Sequence, residues 1–164
     1  FRLYELLEGL AAVANARRPA ITVGVENADR NRTAAPFAPE TIVEGKRELL
    51  VEVLNNLLDN AIKFTPEGSV TLRAGRLADR ESKAWFRFEV IDTGVGIPPE
   101  RLDAIFQPFT QADASASCGF EGVGLGLAIS KKLVTALGGL LGVESQVGEG
   151  SRFWVEVPLV ATSL

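Results

Sequence analysis

The sequence predicts an α+β domain, a two-layer sandwich in which about five strands form one sheet covered on one face by about three helices. Three observations lead there. Lys46 to Phe64 carries the longest run of apolar side chains at helical spacing. Ser69 to Leu77 and Ala84 to Asp92 read as strands joined by the charged stretch Ala78 to Lys83, the pattern of a hairpin. Glycine and proline clusters separate these segments from further helical and strand patterns on either side.

In chain order, residues 3–16 place Leu3, Leu6, Leu7, Leu10, Ala11 and Ala14 at helical spacing, and Pro19 follows. Ile21 to Glu26 alternates as a strand, and the polar stretch from Asn27 to Pro39 reads as a loop. The long helix stops at Thr65-Pro66-Glu67-Gly68. In Ala84 to Asp92, Trp85, Arg87 and Glu89 alternate with Phe86, Phe88 and Val90, so one face is expected in the core and the other wet. Pro99 to Ile105 reads as a short helix with proline in its first turn. Gln107 to Glu121 is a polar, small-residue loop. A helix from about Gly124 to Leu137 ends at Gly138-Gly139, and the closing strands Leu140 to Ser145 and Ser151 to Pro158 flank Gly148-Glu149-Gly150.

The 164 residues, 46% hydrophobic and 23% charged, suit a single domain spanning 1–164 with a sizeable core. No apolar run approaches the roughly 20 residues that a bilayer requires, and no signal peptide opens the chain, so the domain is expected in water, in the cytoplasm. Net charge is −4, and basic residues cluster only in pairs such as Arg17-Arg18 and Lys131-Lys132, which argues against nucleic acid as a partner. The lone Cys118 has no disulfide partner, and with no histidine a Cys/His zinc site is excluded. Zero histidine also removes the commonest general base. The absence of methionine, even at position 1, suggests a segment of a longer polypeptide.

Within the long helix, Leu50, Val53, Leu54, Leu57, Leu58, Ala61 and Ile62 form one apolar stripe at about 100° per residue. Asn56, Asn60 and Lys63 fall on a neighbouring stripe with Phe64 at its border, while Asn55 and Asp59 point to solvent. Amide oxygens are hard ligands suited to Mg²⁺, and an ammonium suits phosphate, so this ledge has the chemistry to hold a metal-bound phosphate chain. On the helix alone, a surface helix with scattered asparagines fits equally well.

Two glycine-rich segments add to it. Asp92 ends a strand and runs into Thr93-Gly94-Val95-Gly96-Ile97, where a carboxylate can accept from an amine such as that of adenine and the glycines permit close approach. A plain Asp-Gly turn is the alternative for that segment alone. Gly122-Val123-Gly124-Leu125-Gly126 leads into a helix, whose N-terminal amides are a phosphate site. Its GxGxG spacing follows a loop rather than a strand, so it is neither a Rossmann fingerprint nor a P-loop.

The order NLLDNAIKFT, DTGVGIPPE, IFQPFTQAD, GVGLGLAISKKLV and GGLLGVESQVGEGSRFWVEVPL resembles the ATP-binding catalytic domain of bacterial sensor histidine kinases, over roughly Lys46 to Leu159. The resemblance implies the superfamily of gyrase, heat-shock chaperone, histidine kinase and mismatch-repair ATPases, with a mixed sheet in a Bergerat-type sandwich. It implies ATP and Mg²⁺ as cofactors. Asn60 would coordinate Mg²⁺, Asn56 would support the phosphates, Lys63 would contact them, and Phe64 would lie against the nucleotide. Asp92 would accept from adenine N6, with Gly94 and Gly96 admitting the ring and Ile97 lining it. Phe106 and Phe109 match the F box, and residues 107–121 match the lid. Gly122, Gly124 and Gly126 match the second glycine box, with Leu125 packing near the nucleotide.

The same resemblance sets kinase against ATPase. ATPases of the superfamily carry a glutamate general base one turn before the metal-binding asparagine, whereas here Asn56 stands there. Transfer to a protein side chain is therefore implied, by positioning and charge neutralisation. The acceptor histidine would lie on a separate dimerisation domain absent from this chain, with a response regulator receiver domain downstream, and the isolated domain would be a monomer. The full-length protein is compatible with a membrane anchor. The lid segment Ser115-Ala116-Ser117-Cys118-Gly119-Phe120 has no Arg or Lys where many relatives in the resembled family offer a basic residue to the phosphates, and Glu121-Gly122-Val123 replaces the family's commoner Gly-Gly-Thr. A nucleotide-binding pseudokinase or scaffold is therefore the alternative. Asp92-Thr93-Gly94 also matches the aspartic protease tripeptide, but such a site needs two aspartates sharing a proton, and nothing else in the chain resembles that fold.

Overall fold

A computed structural model describes residues 1–18, 20–27, 34–108 and 126–162. In chain order these form helix α1 (Leu3–Arg17), strands β1 (Ile21–Asn27) and β2 (Ile42–Glu44), helix α2 (Arg47–Lys63), strands β3 (Gly68–Arg80) and β4 (Lys83–Asp92), a single 3₁₀ turn (Pro99–Arg101), helix α3 (Gly126–Ala136), and strands β5 (Leu140–Gln146) and β6 (Gly150–Thr162). None of the described helices is long and apolar enough to cross a membrane.

The sheet runs β1-β3-β4-β6, parallel between β1 and β3 and antiparallel elsewhere. The far edge of β6 is shared. Its first half pairs with β5, from Gln146 opposite Gly150 to Leu140 opposite Glu156, and its last residues pair with β2, from Glu44 opposite Val160 to Ile42 opposite Thr162. The described sheet is thus mixed, as expected, with six strands rather than five. The additional strand, β2, is three residues long, too short to show an alternation.

Apolar side chains of alternate strand residues build one core against the helices. Val70, Leu72 and Ala74 of β3, Phe86, Phe88 and Val90 of β4, and Phe153, Val155 and Val157 of β6 are buried together with Leu50, Val53, Leu54, Leu57, Leu58, Ala61 and Ile62 of α2. Those seven α2 residues are the stripe that the sequence spacing predicts. α1 buries Leu3, Leu6, Leu7, Leu10, Ala11 and Ala14 in the same core. Its Asn15 exchanges two hydrogen bonds with the backbone of Val23, at 2.9 and 2.8 Å, which satisfies β1 along its open edge.

The opposite face of the sheet is not wet, which corrects the sequence reading of β4. Glu89 is only 1% exposed because arginines from three strands converge on it: Arg73 at 3.3 Å, Arg87 at 2.9 Å and Arg152 at 3.7 Å. Arg73 also reaches Glu26, and Arg87 reaches Glu156. Arg87 and Arg152 stack on Trp154, whose indole lies over Gly142, where a side chain would collide with it. Long cationic side chains and an indole thus cover this surface in place of a second helical layer.

Two further expectations differ, and a third boundary is untested. The β3–β4 hairpin closes more tightly than expected, on Glu81 and Ser82, both at positive φ (51° and 62°), a left-handed pair that glycine or asparagine adopts more readily. The predicted helix from Pro99 to Ile105 is a 3₁₀ turn followed by hydrogen-bonded turns, since Leu102 N–H bonds Pro99 C=O and Ile105 N–H bonds Arg101 C=O. α3 is described from Gly126, so its expected start at Gly124 lies outside the described residues.

Candidate nucleotide site

α2 carries the ledge. Asn56, Asn60, Lys63 and Phe64 are all half-buried beside the fully buried stripe. Among the described residues, neither the Asn60 amide nor the Lys63 ammonium has a hydrogen-bond or ion-pair partner, whereas Asp59 one position away is held by Arg17 at 2.8 Å. Asn55, expected at the surface, is also half-buried. Asn56 Nδ2 approaches the carbonyl of Gly126 at 3.5 Å, which brings the ledge to the first turn of α3. The start of a helix carries unpaired N–H groups and the positive end of its dipole.

Asp92 terminates β4 on the helix-facing side of the sheet, in register with Val70 and Ser151. Its carboxylate is buried, and Oδ1 accepts two backbone hydrogen bonds, from Gly94 at 2.9 Å and Ser151 at 3.2 Å. Burial pushes the Asp92 carboxyl above its ordinary value, against the opposing pull of those two N–H donors. Oδ2 is left without a protein donor among the described residues.

The glycines after Asp92 have a packing role that the sequence reading does not foresee. A Cβ on Gly94 would lie 2.1 Å from the carbonyl of Phe64, and Val95 N–H donates to that same carbonyl at 3.1 Å. Gly96 has φ +74° and would meet Gln146 C=O at 2.2 Å. The segment is therefore seated on the end of α2 on one side and on the β5–β6 turn on the other. Ile97 is buried, and its N–H donates to Ser145 Oγ at 2.7 Å.

Phe106 is half-buried, edge-on to Phe153 with ring centroids 6.4 Å apart, and Lys131 lies 5.8 Å over its ring. Gly126 is exposed at the start of α3. Phe109, Gly122, Gly124, Leu125 and the lid from residue 109 onward fall outside the described residues. Two polar residues that the sequence reading missed stand at the site. Thr65 is fully buried, beneath Gly94, with its hydroxyl unpartnered among the described residues, and Ser145 joins Ile97 to β6.

Sequence-distant segments thus meet around α2: Asn56 touches the start of α3, and Phe64 anchors the segment after Asp92. Comparison with known families matches residues 45–161 to the family described as histidine kinase-, DNA gyrase B- and HSP90-like ATPase. The chain belongs to this family. Among relatives of this ATPase family, it is 50% identical over 120 residues to the sensor histidine kinase AruS of Pseudomonas aeruginosa, covering 73% of this chain and 12% of AruS. It therefore spans about an eighth of that relative. The fold matches full-length ShkA in complex with AMPPNP, with TM-score 0.80 and 30% identity over 100% of this chain and 31% of ShkA. It also matches the mycobacterial sensor histidine kinase MprB, with TM-score 0.71 and 26% identity over 96% of this chain and 95% of the MprB chain.

The donor set fits the ligand that the family name implies. Among the described residues there is no cluster of three or more His, Cys, Asp or Glu side chains. An amide oxygen beside an ammonium that has no partner among the described residues suits a cation that arrives with its own phosphates.

Proposed function

We propose that this domain binds ATP with Mg²⁺ and presents the γ-phosphoryl group to a histidine on a separate helical dimerisation domain. The observation that carries the reading is the residue one turn before Asn60. Asn56 has no proton-accepting group, and the adjacent carboxylate, Asp59, is tied to Arg17. Activation of water lacks a base on this ledge, whereas phosphoryl transfer asks mainly for positioning and charge neutralisation. With no histidine among the 164 residues, the acceptor belongs to another domain.

Asp92 would accept from the exocyclic amine of adenine through Oδ2, since Oδ1 is engaged by two backbone donors. Phe64 and Ile97 would flank the base. Asn60 would hold Mg²⁺ by its amide oxygen, and the bound ion would neutralise phosphate charge. Lys63 would hold the phosphates by charge, with Asn56 supporting them, Gly122, Gly124 and Gly126 approaching them as the second glycine box, and Leu125 packing near the nucleotide. Phe109 would close on the nucleotide with the lid. A receiver domain would take the phosphoryl group next. The domain would act as a cytoplasmic monomer without nucleic acid.

Calorimetric titration with a non-hydrolysable ATP analogue and Mg²⁺ tests the reading, and no binding at millimolar nucleotide would overturn it. Transfer of labelled phosphate to an added histidine-bearing helical domain tests the second half. Intact binding with persistent failure of transfer would favour the pseudokinase, for which the absence of Lys and Arg from the lid segment Ser115 to Phe120 speaks.

A further inference from the structure

The turn between β5 and β6 is docked on the segment that follows Asp92. Gly148 N–H donates to Val95 C=O at 2.8 Å. Side chains are excluded at two of its contacts, because a Cβ on Gly96 would lie 2.2 Å from Gln146 C=O and one on Gly150 would lie 2.0 Å from Asp92 C=O. Ser145, Ser151 and Asp92 occupy one cross-strand row.

Ser145 Oγ is the centre of these contacts. It accepts the Ile97 N–H at 2.7 Å, and it lies 2.9 Å from the carbonyl of Gly150 and 2.8 Å from Ser151 Oγ. A hydroxyl has one proton to give and two lone pairs. If Ser145 donates to Gly150, its remaining lone pair takes the Ser151 hydroxyl, and its whole capacity is used inside the protein. Ser151, so oriented, gives its N–H to Asp92 Oδ1 at 3.2 Å.

We infer that Ser145 is a positioning residue. It sets the Asp92–Ile97 segment in its ligand-ready shape before nucleotide arrives, and so sustains selection of a base that presents an amine to Asp92 over one that presents a carbonyl there. This rests on the adenine reading above. The β5–β6 turn is then the brace of the base end of the site. The hydroxyl acts through Ile97 N–H and through Ser151, without touching the ligand.

The test compares the 164-residue chain with Ser145→Ala, Ser145→Thr and Asp92→Asn, titrated with the Mg²⁺ complexes of AMPPNP and GMPPNP. Ser145→Ala is expected to weaken AMPPNP binding about tenfold, the effect of one lost hydrogen bond with a buried donor left unpaired, and to change GMPPNP binding little. The adenine-to-guanine ratio then falls by the same factor, and Ser145→Thr, which keeps the hydroxyl, restores it. Native-state amide exchange on the unsubstituted, nucleotide-free protein gives a second readout that needs no variant. Ile97 N–H is expected to exchange as slowly as the β5–β6 ladder. Rapid exchange at Ile97, or an unchanged nucleotide ratio in Ser145→Ala while Asp92→Asn loses binding, would overturn the inference alone. Failure of the parent to bind, or full binding by Asp92→Asn, would sink the adenine reading with it.

Discussion

The Asp92 end and the Asn60 end of the proposed nucleotide site are built in opposite ways. At the first, hydrogen bonds run from protein to protein: Gly94 and Ser151 to Asp92, Val95 to Phe64, Ile97 to Ser145, Gly148 to Val95. At the second, an amide and an ammonium stand half-buried with no partner among the described residues. The difference teaches where shape comes from. In the proposed site the base end would be complete before any ligand arrives and the phosphate end would take its order from the ligand's own charges, so loss of stability and loss of affinity should separate between the two ends.

The largest effect is expected at Gly94. Gly94→Ala drives a methyl group to 2.1 Å from the Phe64 carbonyl and should destabilise the ligand-free domain by about 3 kcal/mol, read as a fall in denaturation midpoint. A midpoint unchanged from the parent would break the contrast at its rigid end.

Next comes Asp92→Asn, whose Oδ1 can keep the two backbone donors while its Nδ2 turns a donor toward the adenine amine. Nucleotide affinity should fall about a hundredfold, roughly 2.7 kcal/mol, by calorimetry. Stability should move the other way. The folded carboxyl sits above its ordinary value of 3.8, so the folded state holds that proton more tightly than the unfolded chain. Its contribution to stability is therefore fully present below the unfolded value of 3.8 and is lost as pH rises from there through the folded value. The asparagine variant carries no such loss, so its ligand-free stability near neutral pH should equal or exceed the parent's, and its stability profile should be flatter through the acid range.

Asn60→Ala and Lys63→Ala should each weaken Mg-nucleotide binding about tenfold while leaving ligand-free stability within about 0.5 kcal/mol. A clear loss of ligand-free stability in either would show that the phosphate end is structural as well. The smallest effect is expected away from both ends, at the hairpin turn. Ser82→Gly relieves a non-glycine residue at φ 62° and should raise stability by about 0.5 to 1 kcal/mol with binding unchanged.

What the sequence made legible follows the same division. The ledge was readable because α2 is regular: once the buried stripe is phased, the 3.6-residue period puts Asn56, Asn60 and Lys63 beside it. Asp92 was readable as the polar end of an apolar strand. The brace was not. Ser145 is an unremarkable serine in a strand, and its role exists only because β5 pairs beside β6 and β6 beside β4, a relation with no local signal. β2 escaped for a similar reason, being three residues held by the end of β6. The outer face of β4 misled because alternation counts Arg and Glu as solvated, while the sheet sets Arg73, Arg87 and Arg152 around one Glu89.

That glutamate also fixes alignment. Glu89 lies three residues before Asp92 on the same strand, in line with Arg73 and Trp154. Sliding β4 by one residue against β6 would turn Glu89 into the core, and sliding it by two in one direction would face it with Glu156 and leave Asp92 opposite Phe153 instead of Ser151. The arginines on the outer surface thus penalise misthreading of the strand, and a carboxylate on the far face of the sheet helps decide where Asp92, the residue proposed to meet the base, comes to rest.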